Sequence, residues 1–324
     1  MTKHILPILF LLPLLASSLV VSTQLSITNS ATLVPSLKYI VTILMENHPL
    51  NTTVNPNGVI GNANATFITS LAHQYGLAEH YEATSINGSL AQYIGLLSGN
   101  SSVVSSDCLP SVCPVAGPSV IDSIEASGRT WKAYMEDLPV DQSACGYTGF
   151  GSGEYNVYHD PFVYYADIMN NATRCANILP ANSGPGTGAP DEIFIRDLNN
   201  PASAANFIWL SPDNCDDMHG NPSCPPSTIT TADNYTAQLV PQILDSALFK
   251  TDEAALFIVW DEATYCGISC PIPAIWIGPT VKQGYVSNAH YNHYSYLKTI
   301  ETLWNLPSLN TFDATASPMT EFLP

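Results

Sequence analysis

Five apolar runs of strand length punctuate the chain, at residues 39–45, 130–134, 206–210, 255–260 and 272–277. They are rich in β-branched and aromatic residues and carry little charge, as buried strands do. Between them lie segments of helical period, at 89–97, 119–126, 232–246 and 294–304; in the last, Tyr296, Ile300, Leu303 and Trp304 recur near the helical repeat. Alternation of this kind predicts an α/β fold, a doubly wound, mostly parallel sheet with helices on both faces. Segment 176–190, rich in Gly, Pro, Ala and Asn, predicts an exposed loop. Segment 213–227, with two cysteines and four prolines or glycines, predicts a loop stapled by a disulfide.

Two of the strand runs end abruptly in oxygen ligands. Run 39–45 stops at Glu46-Asn47, and run 255–260 stops at Asp261-Glu262 with Cys266 and Cys270 just beyond. In an open parallel sheet, chemistry collects at the carboxyl ends of the strands. Four oxygen donors from two such ends, three of them anionic, suit a hard cation and leave a coordination position open. Taken singly, either pair reads equally well as polar residues closing a buried strand or capping a helix. Asp213 and Asp217 follow run 206–210 and place further carboxylates at the same edge, to complete a second metal site or, for Asp213, to form an Asx turn.

Composition adds an address. Residues 1–23 carry Lys3 and His4, an apolar core at 5–16 and small residues at Ser17, Ser18 and Ser22, the layout of a secretory signal, and residues 24–324 then form a single domain. An uncleaved anchor is the competing description of residues 5–21, but no later segment is long and apolar enough to span a bilayer, so no stable transmembrane span is expected in the mature chain. All eight cysteines follow the signal. Four close pairs can be drawn, 108 with 113, 145 with 175, 215 with 224 and 266 with 270, among about 105 pairings in principle. Six N-glycosylation sequons, at Asn51, Asn64, Asn87, Asn100, Asn171 and Asn234, fit N-linked glycans on an exported or cell-surface protein. The net charge is −18, which excludes nucleic acid as a partner. Charged residues make up 11% of the chain, against about 25% in an average protein. So few lysines and arginines limit cationic self-repulsion once carboxylates are protonated, which points to an acidic working environment.

Seven motifs in order carry a resemblance: Met-Glu-Asn, Ser-Leu-x-x-Tyr-x-x-x-Leu-Ser-Gly, Trp-Lys-x-Tyr-x-Glu, His-x-Pro-Phe, Asp-Met-His, Trp-Asp-Glu and His-Tyr-Ser. From about residue 38 to the C-terminus the chain resembles the phosphoesterase family of secreted acid phosphatases and phospholipases C, within the alkaline-phosphatase-like superfamily. The resemblance implies an alkaline-phosphatase-like α/β fold, a catalytic divalent metal, and hydrolysis of phosphate monoesters or phospholipids through a phosphorylated hydroxyl side chain. It also implies that Glu46 and Asn47 form one metal-binding pair and Asp261 and Glu262 the other. Ser89 in Asn87-Gly88-Ser89-Leu90-Ala91-Gln92-Tyr93 resembles the family's nucleophile in His-Pro-Ser-Leu-Pro-Asn-Tyr, and is also counted among the metal ligands. A serine opening a helix there meets an incoming phosphate with free amide donors and the positive end of the helix dipole. It also reads as a plain N-cap or as the acceptor of the Asn87 sequon, with Thr84 and Ser85 as substitute nucleophiles. The segment departs from the family at Asn87 for His, Gly88 for Pro, Ala91 for Pro and Gln92 for Asn, which bears on its substrate contacts.

His159, His219 and His293 stand in motifs whose histidines line the family's phosphate pocket, and an imidazolium can stabilise phosphoryl oxygens or protonate a leaving alkoxide. Asp217 is expected as a further metal ligand. Trp131, Lys132, Tyr134 and Glu136 match the family and are assigned to sheet packing and its rim. Carboxylate and amide donors suit magnesium, calcium or manganese, while the histidines keep zinc open. The leading expectation is an exported, metal-dependent acid phosphatase; a phospholipase C, or a surface glycoprotein that keeps the fold without catalysis, are the alternatives.

Overall fold

In the computed structural model the described residues are Met1, 37–139, 147–150, 154–184, 190–251, 253–264 and 266–324. The chain divides into residues 1–33 and 34–324, and every described strand and helix belongs to the second unit. Beyond Met1 the expected signal at 1–23 lies outside the described residues, as does Cys145.

Every residue of the apolar run 39–45 is buried, and it forms strand β1 (Tyr39–Met45) near the middle of an eight-stranded sheet. The other strands are β2 (Gly76–Glu82), β3 (Trp131–Met135), β4 (Ile178–Pro180), β5 (Phe207–Ser211), β6 (Ala254–Trp260), β7 (Ala274–Ile277) and β8 (Tyr285–Asn292), in the spatial order β4-β3-β5-β1-β6-β7-β2-β8. Every neighbouring pair is parallel except those of β7, which runs antiparallel to β6 and to β2. A parallel return from β6 would need a crossover of about a dozen residues or more, usually helical. Among the described residues of the connection here there is no helix, and it is stapled by Cys266–Cys270, so the chain doubles back beside the strand it has just left.

The helices are α1 (Thr66–Gln74), α2 (Ser89–Ser98), α3 (Val120–Ala126), α4 (Ala166–Met169), α5 (Ala172–Cys175), α6 (Glu192–Leu198), α7 (Thr228–Asp245), α8 (His293–Trp304) and α9 (Thr311–Thr315). Strand pleating sends alternate side chains to opposite faces. Thr42 is in register with Trp209 and Phe257, and Phe257 with Trp276, so a polar and three aromatic residues form one row across the sheet. Helix α8 lies on that row, its Tyr296 ring stacked 5.0 Å from Phe257 and its hydroxyl hydrogen-bonded to Thr42. Helix α2 joins it, with Tyr93 6.1 Å from Trp209. Val41, Ile43, Leu256 and Ile258 turn to the opposite face and are equally buried. There the group α1, α6 and α7 packs together, as α2, α3, α8 and α9 do on the first face. The expected α/β layout with helices on both faces is therefore present, with one reversed strand.

The five expected strands and four expected helices are all found, with no end displaced by more than four residues. Strands β2 and β8 carry no apolar run to announce them. They pair with each other at the sheet's border, where Glu79, His80 and His290 face outward enough to be polar. Strand β4, three residues inside the expected loop 176–190, is held by pairing with β3 rather than by its own pattern. Three of the four cysteine pairs drawn from the sequence are disulfides, Cys108–Cys113, Cys215–Cys224 and Cys266–Cys270.

Helix α1 is capped from a distance. Its preceding residue is Ala65, which offers no capping side chain, and the carboxylate of Asp233 in α7 accepts the amides of Phe67 and Ile68 at 3.1 and 2.8 Å. Replacing a capping carboxylate by alanine costs about 1–2 kcal/mol. Asp233→Ala is therefore expected to lower the free energy of unfolding by that amount, seen as a lower denaturant midpoint with an unchanged slope; an unaltered midpoint would contradict the cross-helix cap.

Candidate metal centre

Residues Met45 and Trp260 are in register on the neighbouring parallel strands β1 and β6, so the next residues, Glu46 and Asp261, emerge side by side. The backbone locks them there: the Asp261 amide donates to the Met45 carbonyl at 2.9 Å and the Glu46 amide to the Asp217 carbonyl at 2.7 Å. Asn47 follows in the left-handed region at φ 66°, which turns the chain away and lets its own amide donate to Asp261 Oδ1 at 3.0 Å. Asparagine tolerates that conformation better than most residues. Its carboxamide nitrogen donates to Glu46 Oε2 at 3.1 Å, and its oxygen accepts from the Thr264 hydroxyl.

Ser89 is the first residue of α2, and its Oγ donates to Glu46 Oε2 at 3.0 Å. Gly88 before it has φ 91°, and a Cβ there would lie 2.6 Å from the Asp107 carboxylate. Only glycine fits that approach. Asp107 itself accepts the Leu90 amide at 3.0 Å, so the amide-rich start of α2, the expected anion cradle, already carries a protein carboxylate. Sequence reasoning missed Asp107, which lies in no motif. Thr84 and Ser85, the substitute nucleophiles, are engaged with α2 instead: Gln92 accepts the Thr84 amide at 3.0 Å and donates to the Ser85 carbonyl at 2.6 Å. Gln92 also reaches Glu262 Oε2 at 3.5 Å, so it ties the loop before α2 to the second acidic pair. Asn87 is half-buried and donates from its amide nitrogen to the Val104 carbonyl at 3.3 Å, a bond that a glycan on that nitrogen would displace.

The histidines separate into three positions. His159 is buried between carboxylates, Nε2 3.3 Å from Glu46 Oε1 and Nδ1 2.9 Å from Asp217 Oδ2, neither with hydrogen-bond geometry. Burial, then the neighbouring His219, push its pKa well below the usual range, so it is a neutral ring rather than the imidazolium expected. His219 is exposed at the mouth, its ring 5.4 Å from that of His159, and its Nδ1 lies 2.8 Å from the Gly220 carbonyl. His293 does not line a pocket. It is fully buried behind Asp261, with Nε2 2.7 Å from the Asp261 carbonyl and Nδ1 3.1 Å from the Tyr81 hydroxyl, and burial lowers its pKa to about 4. A neutral His293 donates to the Asp261 carbonyl through Nε2 and accepts the Tyr81 hydroxyl through Nδ1.

Glu46, Asp217 and Asp261 are all fully buried. Burial, then Asp261 and Asp217, push the Glu46 carboxyl well up; burial does the same for Asp217, and raises Asp261 to about 6 against the hydrogen bonds from Asn47 and Glu262. Half-buried Glu262 is raised to about 8 by burial and then by Asp261. The described ion pairs of Lys38, Lys132, Arg174, Arg196, Lys250 and Lys298 all lie elsewhere. Three oxygens of the cluster, Glu46 Oε1, Asp217 Oδ2 and Asp261 Oδ2, are buried without a hydrogen-bond partner, although Ser89 and Glu46 lie close enough to Asp261, and the Tyr93 hydroxyl close enough to Glu46, to favour the ionised forms. Buried polar groups are almost always satisfied, and orphaned carboxylate oxygens in one cluster are what a divalent cation satisfies. Glu46, His159 and His219 add a set of ligand atoms within 4.8 Å of one another. Carboxylates with imidazoles suit a divalent ion of the manganese or zinc kind as well as harder ions.

A family model described as the Phosphoesterase family matches residues 56–307, starting just after the Glu46-Asn47 pair. A probable acid phosphatase of Kluyveromyces lactis is 25% identical over 209 residues, 61% of this chain and 44% of that protein. An acid phosphatase of Aspergillus fumigatus is 24% identical over 214 residues, 63% of this chain and 43% of that protein. The chain thus spans less than half the length of the curated relatives it matches. Among solved structures, a protein of the alkaline phosphatase superfamily from Vibrio parahaemolyticus superposes with a TM-score of 0.57 at 13% identity, over 87% of this chain and 70% of that one. Murine ectonucleotide pyrophosphatase/phosphodiesterase 5 superposes with a TM-score of 0.53 at 9% identity, over 89% of this chain and all of that one. At these identities the likeness concerns the fold.

The buried carboxyls fix a pH dependence. Asp160, Asp191, Asp213 and Asp216 are pushed up to about 7, and Glu262 to about 8, chiefly by burial. An unfolded chain loses these protons near pH ~4, so between about pH 6.5 and 8.5 the metal-free fold must release protons that the unfolded chain no longer holds, and stability falls as pH rises. The histidines lowered in the fold act in the opposite sense, but below that window. Melting curves in chelator are expected to shift downward from pH ~6.5 to ~8.5 and to flatten when a divalent cation is supplied; a midpoint that rises with pH in chelator would contradict this electrostatic picture.

Proposed function

The chain belongs to the phosphoesterase family, and on that premise we propose that it is an exported, metal-dependent acid phosphatase that hydrolyses phosphoric esters through a phosphoserine at Ser89. The observation that carries the proposal is the 3.0 Å contact of Ser89 Oγ with Glu46 Oε2 inside a pocket of carboxylate oxygens that lack donors. Glu46, Asp217 and Asp261 would hold a divalent cation, with Asn47, Glu262 and Ser89 around it and a nitrogen donor from His159. When bound, such an ion supplies neutralisation of phosphoryl oxygens and a lowered pKa for the nucleophile.

The protein's own groups account for the remaining steps. Glu46 Oε2 accepts the Ser89 proton as Oγ attacks phosphorus in line. His219, exposed at the mouth, protonates the departing alkoxide, and water then cleaves the phosphoserine to release inorganic phosphate. His159 and His293 keep the carboxylates in place as neutral rings: His159 lies between Glu46 and Asp217, and His293 bonds the Asp261 carbonyl. Export is supported by the three disulfides among the described residues and by the exposed sequon residues Asn64, Asn171 and Asn234. Among the described residues no helix is long and apolar enough to cross a membrane. An acidic setting is supported by the raised carboxyl pKa values, since protonation relieves the repulsion among these groups.

Hydrolysis of p-nitrophenyl phosphate tests this directly. Chelator is expected to abolish turnover reversibly, and Ser89→Ala to lower kcat by about 10³-fold or more, with loss of acid-stable phosphate on the protein after rapid quench. An unchanged rate in both arms would support an inactive surface glycoprotein, and preferential turnover of a phosphocholine diester would move the assignment to phospholipase C. Asp107, whose charge occupies the anion end of α2, disfavours a bound phosphate dianion. Removing a charge at a helix terminus is worth about 0.3–1 kcal/mol, so Asp107→Asn is expected to tighten inhibition by inorganic phosphate about two- to fivefold; weaker inhibition would contradict the competition.

A further inference from the structure

A second acidic cluster lies at the same sheet edge, one strand away from the first. Glu136 directly follows β3 and is buried, Asp213 follows β5 and is buried, and Asp216 is half-buried on the same loop. Each offers a carboxylate oxygen within 4.8 Å of the others. Glu136 Oε2 accepts the Asp213 amide at 2.9 Å, and Asp213 Oδ1 accepts the amides of Cys215 and Asp216 at 2.8 and 2.9 Å, which curls the loop around the cluster.

Acidic side chains close together are common without a ligand. Here an independent feature points to one. Asp191, at the start of α6, is fully buried; its Oδ2 accepts from the Tyr235 hydroxyl, while Oδ1 has no partner. Among neighbouring carboxylates Asp191 acts most strongly on both Glu136 and Asp216, so its charge bears on this cluster. Asp137, next to Glu136, is already satisfied by Asn182 Nδ2 at 3.1 Å and the Glu154 amide at 3.2 Å. The ion pairs of the described lysines and arginines leave this cluster uncompensated as well. Taking several ionised carboxylates out of water without a counter-ion is strongly unfavourable.

We propose that Glu136, Asp191, Asp213 and Asp216 form a second divalent-cation site of the calcium class, distinct from the centre at Glu46 and Asp261. The donors are all hard oxygens. Calcium takes six to eight oxygens at about 2.3–2.6 Å in irregular geometry, so ligand oxygens on opposite sides of the ion lie about 5 Å apart, close to the spread of the Glu136, Asp213 and Asp216 oxygens. Asp216 is the open side through which the ion and its waters enter. The bound ion fixes the loop that carries Asp213, Asp216, Asp217 and His219, and through Asp217 it holds one wall of the first centre. Its role is structural, and its existence does not depend on the phosphatase assignment.

Calcium binding to the full-length protein, stripped with chelator, tests the site. In a Glu46→Gln/Asp261→Asn background that disables the first centre, calcium chloride is expected to bind one ion per chain by titration calorimetry and to raise the melting midpoint by several degrees. Adding Asp216→Asn is expected to remove both the heat of binding and the midpoint shift. In chelator at neutral pH the same substitution should leave stability equal or higher, because it relieves like-charge repulsion, so loss of binding is separable from misfolding. Glu136→Gln provides the second variant and is expected to behave alike. Absence of calcium binding in the background protein, or binding that survives both substitutions, would overturn the proposal.

Discussion

Carboxylates buried side by side at the ends of neighbouring parallel strands set the terms for the rest of this molecule. The register of β1 on β6 puts Glu46 next to Asp261, and the Glu46 amide bond to the Asp217 carbonyl brings a third acid to the same place. Each is cut off from water, and the effective cost of burying an ionised carboxylate is several kcal/mol after relaxation. Neutral His159 cannot offset that charge. The fold must therefore either keep these groups protonated or supply a cation, and acidity and metal binding become two answers to one problem. Stability of the metal-free chain and chemistry at Ser89 follow from the same electrostatics.

The two acidic clusters are mechanically joined. Both hang on the loop after β5, stapled by Cys215–Cys224, with Asp213 and Asp216 turned to one side and Asp217 to the other. Of the five non-glycine residues with positive φ among those described, Asn47, Asp137, Asp191 and Met218 flank these clusters. Backbone in that region is costly for residues with a Cβ and persists where surrounding contacts dictate it. Met218 shows how: its sulfur accepts the Trp260 indole N–H at 3.3 Å, which holds the residue between Asp217 and His219 against the end of β6.

Much of this was legible in the amino-acid order. The strands that carry the site are continuous apolar runs, because strands covered on both faces need no alternation, and their abrupt ends at Glu46 and Asp261 mark the sheet edge directly. Border strands β2 and β8 were invisible for the converse reason: polar residues such as His80 and His290, whose rings stack at 4.9 Å, are admitted where one side meets solvent. The histidines were harder. Motif context selected His159, His219 and His293 together, but only packing separates a ring wedged between two carboxylates from one at the mouth and one behind the Asp261 backbone. Asp107 carried no signal, since its place at the start of α2 depends on the loop that brings residue 107 back to Gly88. Glu136 belonged to a motif assigned to packing, and its acidic partners Asp191 and Asp213 come from distant segments that no local pattern connects.

In the proposed centre a cation shared by Glu46, Asp217 and Asp261 lies within reach of the Ser89 hydroxyl. Anomalous diffraction from a crystal of the protein grown with manganese measures this most directly. The expected result is an anomalous peak enclosed by those three carboxylates and in contact with Ser89 Oγ. A fully loaded protein whose only peaks lie away from Glu46 and Asp261 would contradict it.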